Sequence, residues 1–291
     1  MGTADTIPGV SGGTIALITG IYPRLIRAIT AANISSLFLV LKGHIRALYK
    51  QMDLGFLLCL LAGIIAAIIF VIKVIGLPDL LNQYPHYVYA LFFGLILASV
   101  PMVLRRTEGP RDRLSWLICL ALGAAFAIAI VTQKPVHAPE GMVWSFAGGA
   151  VAICAMLLPG ISGSFILLMT GQYLLILEAV DRFDFEVLAP FILGCIFGIL
   201  AFSRVINWLL RGYYNATLYF MAGLLLGSLW MIWPFQNRQY EFVHGKSKLV
   251  SSTPYWPEWQ GHLGEVAIIG LMVVGVIIVS AMDRMAKKMP G

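Results

Sequence analysis

Residues 7–22 read IPGVSGGTIALITGIY and residues 158–173 read LPGISGSFILLMTGQY. Each stretch sets Pro-Gly and a small polar cluster against an apolar run, where a helix should be starting. Proline ends a helix because it lacks an N–H and crowds the preceding turn. The glycines behind it free the backbone to turn. A new helix is therefore predicted to begin at about Gly12 and again at about Gly163.

Around these stretches the chain is apolar: of 291 residues 59% are hydrophobic and 12% charged, with a mean hydropathy of +0.87. Soluble domains carry about 25% charged residues, and no soluble core of this size could bury such long apolar runs. The chain reads as an integral membrane protein. No signal peptide is visible, because polar residues rather than a basic segment and an apolar core follow Met1. Cys59, Cys119, Cys154 and Cys195 all fall inside apolar runs without a close pair, as small buried hydrophobes do.

A membrane-spanning helix needs roughly 20 apolar residues. Six runs meet this, at 55–76, 84–104, 114–132, 188–210, 215–233 and 264–283. The two motif stretches are too short or too interrupted for an ordinary crossing. In the second, Trp144–Leu158 is broken by Pro159-Gly160 and followed by Gly163–Leu177, two half-length arms that predict a re-entrant hairpin. The first copy has only six residues before Ile7. Either it lacks the descending arm or the chain begins downstream of the native start; the second reading is preferred.

Basic residues mark the cytoplasmic side. Arg24, Arg27, Lys42, Arg46, Lys50, Arg105, Arg106, Arg111, Arg113, Arg204, Arg211, Arg284, Lys287 and Lys288 all fall on one side of the six spans. Lys73, Lys134, Arg182, Arg238, Lys246 and Lys248 fall on the other, with Asp79, Glu140, Glu178, Asp181, Asp184, Glu186, Glu241, Glu258 and Glu265. The count closes only if both motif segments re-enter, the first from the cytoplasm and the second from outside, with the C-terminus cytoplasmic. The net charge of +6 follows from this sidedness and points to no nucleic acid.

The halves also match beyond the motif. Thr19-Gly20-x-Tyr22 aligns with Thr170-Gly171-x-Tyr173, Gly63 with Gly194, Lys73-Val74-Ile75 with Arg204-Val205-Ile206, and Gly94-Leu95-x-Leu97-x-Ser99 with Gly223-Leu224-x-Leu226-x-Ser228. The predicted fold is an all-α integral membrane protein with an inverted-topology repeat: six transmembrane helices plus two re-entrant helical hairpins. Residues 1–140 form the first repeat, with an amphipathic insert at about 27–50 along the inner leaflet, and residues 141–291 the second. Interrupted helices at corresponding places of inverted halves point to a secondary transporter with a midplane site and alternating access.

The chemistry follows from the helix starts. N-terminal amides and the positive dipole end make an anion site, above all for phosphate, without a bare charge in lipid. Ser11, Gly12, Gly13 and Thr14 are the candidates in the first copy, and Ser162, Gly163 and Ser164 in the second. Close helix packing by small residues is the competing reading. Lys73 and Arg204 are repeat-related membrane cations, one near each mouth, and either bind substrate or snorkel to head groups. Asp5 either binds a coupling ion or caps a helix. GVSG and GISG also resemble the GxSG of rhomboid intramembrane proteases, and GVSGG satisfies GxSxG. A nucleophilic serine needs a base in reach, whereas His44, His86, His137, His244 and His262 lie in loops or at span ends. No catalytic residue, metal or cofactor is assigned.

The twin motif resembles the bacterial polyprenyl-phosphate (undecaprenyl-phosphate) transporter family of PopT type, formerly domain of unknown function family 368. The resemblance covers essentially the whole chain. It implies a flippase rather than an enzyme, with undecaprenyl phosphate or a related polyprenyl phosphate returned across the bacterial cytoplasmic membrane for carrier-lipid recycling. It also implies two re-entrant hairpins among spans, and residues before the position of Met1. The partners are then the lipid phosphate and surrounding membrane lipids, with a homo-oligomer left open. A transporter of a small soluble anion is the alternative on the same architecture.

Overall fold

Apolar segments in hydrocarbon must satisfy their own backbone N–H and C=O groups, and helices do so within one segment. The computed structural model describes residues 1–6, 10–33, 36, 38, 42, 44–107, 113–133, 136, 139, 141–243, 246–257 and 263–288. Pro8-Gly9 of the first motif, His137, His244, His262, Arg111, Lys134, Glu140, Glu258 and much of the stretch between Thr30 and Ile45 lie outside them.

In chain order the helices are α1 (Gly2–Asp5), α2 (Gly12–Thr19), α3 (Tyr22–Thr30), α4 (Ile45–Gln51), α5 (Leu54–Lys73), α6 (Leu77–Gln83), α7 (Pro85–Leu104) and α8 (Arg113–Val131). The second half continues with α9 (Met142–Leu157), α10 (Gly163–Met169), α11 (Tyr173–Arg182), α12 (Phe185–Gly212), α13 (Tyr214–Ser228) and, after two strands, α14 (Leu263–Lys288). Among the described residues five stretches are long and apolar enough to cross a membrane: Leu54–Lys73, Pro85–Leu104, Leu114–Val131, Phe185–Gly212 and Gly264–Arg284, with the bent pair Gly163–Met169 and Tyr173–Arg182 a sixth if it counts as one span. The chain is a multi-pass membrane protein. Leu58, Leu61, Ile65 and Ile69 of α5 are exposed, as apolar side chains facing lipid would be.

The run at 215–233 departs from expectation. Its α-helix stops at Ser228 after 15 residues, short of a full crossing. The apolar chain continues, but as tightened turns in which Leu229, Trp230 and Met231 donate to Leu226, Gly227 and Ser228. The Gln236 amide then donates to the Trp230 carbonyl at 2.7 Å, closing the end before another helical turn can form. The spans are helical as expected, and among the described residues the one addition is a short ribbon. β1 (Gln236–Val243) and β2 (Lys246–Pro254) pair antiparallel in the loop that follows.

The short arms behave differently from the spans. α9 has 16 residues, and α10 and α11 are bent by 107° across a break. Their first-half counterparts, α2 and α3, also meet at a glycine in left-handed conformation. Gly20 has φ 81° and Gly171 φ 71°, a backbone that side chains with a Cβ rarely adopt. Thr19 and Thr170 both return their hydroxyls to the preceding turn, on Ile15 and Ile166.

The spans pair across the halves. α7 packs on α14 and α8 on α13. Gly94 is pressed on the Met272 carbonyl and Gly275 on that of Leu91; in the other pair Gly223 meets Leu120 and Gly123 meets Phe220. Such backbone approach is what small residues permit in membranes. α9 and α3 both lie against α12. Between them sits the main core, in which Tyr22, Ile26, Ile96, Val103, Leu218, Met221 and Leu225 are fully or almost fully buried. The two motif turns sit at its edge.

Candidate functional site

α2 begins where the sequence places it. Its N-cap, Ser11, is extended (φ −117°, ψ 137°), and its hydroxyl oxygen accepts from Gly13 N–H at 3.1 Å. Asp5 accepts from Gly12 N–H at 2.6 Å, and Thr14 N–H reaches the Ser11 carbonyl at 3.0 Å. The first amides of this helix are thus all held by the chain itself. An ionised carboxylate at a helix N-terminus is favourable both as a hydrogen bond and against the dipole. Asp5 acts here as the cap.

α10 begins at Gly163 with Ser162 in the same extended conformation, φ −97° and ψ 130°, but no side chain caps it. The Ser162 and Ser164 hydroxyls instead lie 2.8 Å apart. Ser162 is buried and Ser164 exposed.

The two turns touch. The Thr14 hydroxyl accepts from Gly160 N–H at 3.0 Å, and the Ser11 hydroxyl donates to the Met156 carbonyl at 3.2 Å. Tyr22, fully buried, donates to the Leu157 carbonyl at 2.8 Å. Carbonyls left open at the end of α9 are therefore satisfied by the first copy, and the second copy supplies a partner to Thr14. Each such buried bond is worth about 1 kcal/mol net, and more is lost if one partner is orphaned.

Ser11 and Thr14 of the first copy thus meet the turn, at Met156 and Gly160, that leads into Ser162, Gly163 and Ser164. Lys73 and Arg204 do not join them. Lys73 is exposed at the end of α5. Arg204 donates to the Ala32 carbonyl at 2.9 Å and to that of Leu200, tying α12 to the carbonyl end of α3. Thr30 reinforces this seam through the Ser203 carbonyl at 3.3 Å.

Three participants were not singled out from the sequence. Tyr22 belongs to the repeated TGxY, and that repetition was the available signal. Ser228, in the matched GLxLxS segment, lies against Gly160, whose added Cβ would stand 3.0 Å from its hydroxyl. Arg106 donates to the Ile18 carbonyl at the far end of α2. Its place after a span read only as a topology signal.

Comparison with known proteins bears on this arrangement. Residues 1–250 match a family described as undecaprenyl phosphate translocase-like. A polyprenyl-phosphate transporter of Vibrio cholerae is 44% identical over 237 residues, covering 81% of this chain and 76% of that protein. A polyprenyl-phosphate transporter of Staphylococcus aureus is 32% identical over 255 residues, covering 80% and 83%. No solved structure matches.

Proposed function

The chain belongs to the undecaprenyl phosphate translocase-like family, and we propose that it moves undecaprenyl phosphate, or a related polyprenyl phosphate, across the bacterial cytoplasmic membrane. Transfer of a bare phosphate into hydrocarbon is prohibitively costly. The protein's task is therefore a polar path for the head group while the prenyl tail stays in lipid. The observation that carries the reading is the meeting of the two motif turns, Thr14 on Gly160 and Ser11 on Met156, within a multi-pass apolar frame.

In this reading the chain is an inverted repeat, with a re-entrant hairpin in each half and the C-terminus in the cytoplasm. The matched glycine contacts, the matched left-handed caps and the basic residues on one side all support it. The phosphate meets the Ser162–Ser164 pair and the amides of Gly163 and Ser164 first, because this tip is uncapped. It reaches Gly12, Gly13 and Thr14 when Asp5 and Ser11 let those amides go. A cation or proton that neutralised Asp5 would release Gly12 N–H, which is the sense in which Asp5 couples an ion to transport. Arg204 and Lys73 serve the two mouths, Arg204 leaving the Ala32 carbonyl to meet the head group. Exchange of the two halves' conformations then turns one open side into the other.

Reconstituted liposomes test this. Undecaprenyl phosphate placed in one leaflet becomes accessible in the other with the wild-type protein, and much more slowly with Ser162→Ala plus Arg204→Ala. Full activity in that double variant contradicts the site, and flux of a soluble anion without any change in lipid sidedness contradicts the substrate.

A further inference from the structure

A cavity of 370 Å³ opens between α7 and α14, away from the motif turns, lined by Ala98, Pro101, Met102, Arg105, Val276, Ser280, Asp283 and Arg284. Its composition is graded. Apolar side chains form the deep wall and two guanidiniums, a hydroxyl and one carboxylate form the mouth. Both arginines are exposed, and Arg284 ends the apolar stretch Gly264–Arg284. The charges therefore stand at head-group depth and the apolar wall at the depth of acyl chains.

Positive charge on this side alone would be explained by topology. The cavity is not. In the matched helix pair, Gly227 stands where α7 has Ala98, and it packs so closely on α8 that an added Cβ would lie 2.6 Å from the Ala124 carbonyl. On the α7–α14 side the matched residue is Ala98, which lines the cavity with Pro101, a residue inside α7 that donates no backbone hydrogen bond. The matched positions of Arg105 and Arg284 are Pro234 and Thr132. One of the two helix pairs that join the halves thus has a basic cleft at positions where the other carries proline and threonine.

We propose that this cleft is the cytoplasmic docking site for the phosphate head of a polyprenyl monophosphate, the first isoprene units lying on Ala98, Met102 and Val276. The proposal rests on the function stated above and adds where the lipid is held outside the motif turns. Arginine suits a phosphate through paired N–H donors, and basic pockets between membrane helices on the cytoplasmic side take lipid head groups. The volume lies in the ~300–1,000 Å³ range of ligand clefts and is far too small for a whole tail, which continues into the bilayer. Arg105 and Arg284 outnumber Asp283 in the lining, so the cleft keeps a net positive charge for a monophosphate.

The cleft also communicates with the first motif. Ala98 and Met102 pack with Ile18 of α2 and Val279 of α14 in one buried cluster, and Arg106, beside Arg105, holds the Ile18 carbonyl. Occupation of the cleft bears directly on the helix whose other end is Ser11.

The test uses the full chain and two readouts. Native mass spectrometry of the purified protein with undecaprenyl phosphate should give a bound adduct that Arg105→Gln/Arg284→Gln weakens about tenfold or more. Ser280→Trp, which fills the cleft and leaves its charge, should do the same, and Asp283→Asn should strengthen binding. In liposomes the first two variants should raise the half-saturating lipid concentration from the cytoplasmic leaflet only, with maximal rate near wild type. Unchanged binding and loading in both variants overturns the proposal, as does equal retention of phosphatidylglycerol or inorganic phosphate. A wild-type protein that binds the lipid in an arginine-dependent way yet never transfers it would instead count against the transport function and leave the cleft standing.

Discussion

The two motif turns share a sequence pattern, an extended serine N-cap and a left-handed glycine at the far end of the helix, yet their N-termini are in opposite states. At the first, Asp5 and Ser11 occupy the amides of Gly12 and Gly13. At the second, α10 carries no side-chain cap and Ser162 faces Ser164. A helix N-terminus seeks an anion. The chain supplies its own at the first tip and none at the second. In the proposed function the two tips are therefore two stages of one path rather than two copies of one site.

The comparison can be broken most severely at the receptive tip. Ser162→Ala/Ser164→Ala removes two hydroxyls offered to a charged oxygen and should slow transfer about 100-fold, with the melting temperature little changed. A transfer rate near wild type, measured by leaflet accessibility, makes the uncapped tip a packing feature only. Asp5→Ala sharpens the comparison by making the tips alike. Substrate should bind more tightly and turn over about tenfold more slowly, because the first tip no longer returns to its own cap; equilibrium binding and single-turnover rates separate the two effects. Thr14→Val leaves Gly160 N–H without its acceptor and loosens the junction, for a loss of about fivefold in rate and about 1 kcal/mol in stability. Arg204→Lys keeps the charge but not the fork that spans the Ala32 and Leu200 carbonyls, and should cost about twofold, seen in the same assay.

Much of this was legible in the residues themselves. Apolar length located all five long spans to within a few residues at each end, the fourth reaching from Phe185 to Gly212. The helix starts at Gly12 and Gly163 followed from Pro-Gly and small polar residues. Hydropathy could not show that 215–233 stops being helical at Ser228, because Leu229–Trp233 is as apolar as the turns before it and the stop depends on a side chain at Gln236. The ribbon β1–β2 was hidden for a related reason: a polar loop gives no periodic apolar face. Among the site residues, Ser11 and Ser162 were visible through repetition, whereas the Asp5 cap was one of two open roles. That Arg204 binds the end of α3 and not the motif turns needed the tertiary packing of α3 on α12.

In the proposed function the phosphate is held at the junction of the motif turns, on the second tip before the first. A structure with undecaprenyl phosphate bound tests it directly. The account predicts phosphate oxygens about 2.7–3.0 Å from the Ser162 and Ser164 hydroxyls, with Thr14 still at Gly160 or newly released from it. A phosphate bound elsewhere in the membrane interior, with both tips unaltered and empty, would contradict it.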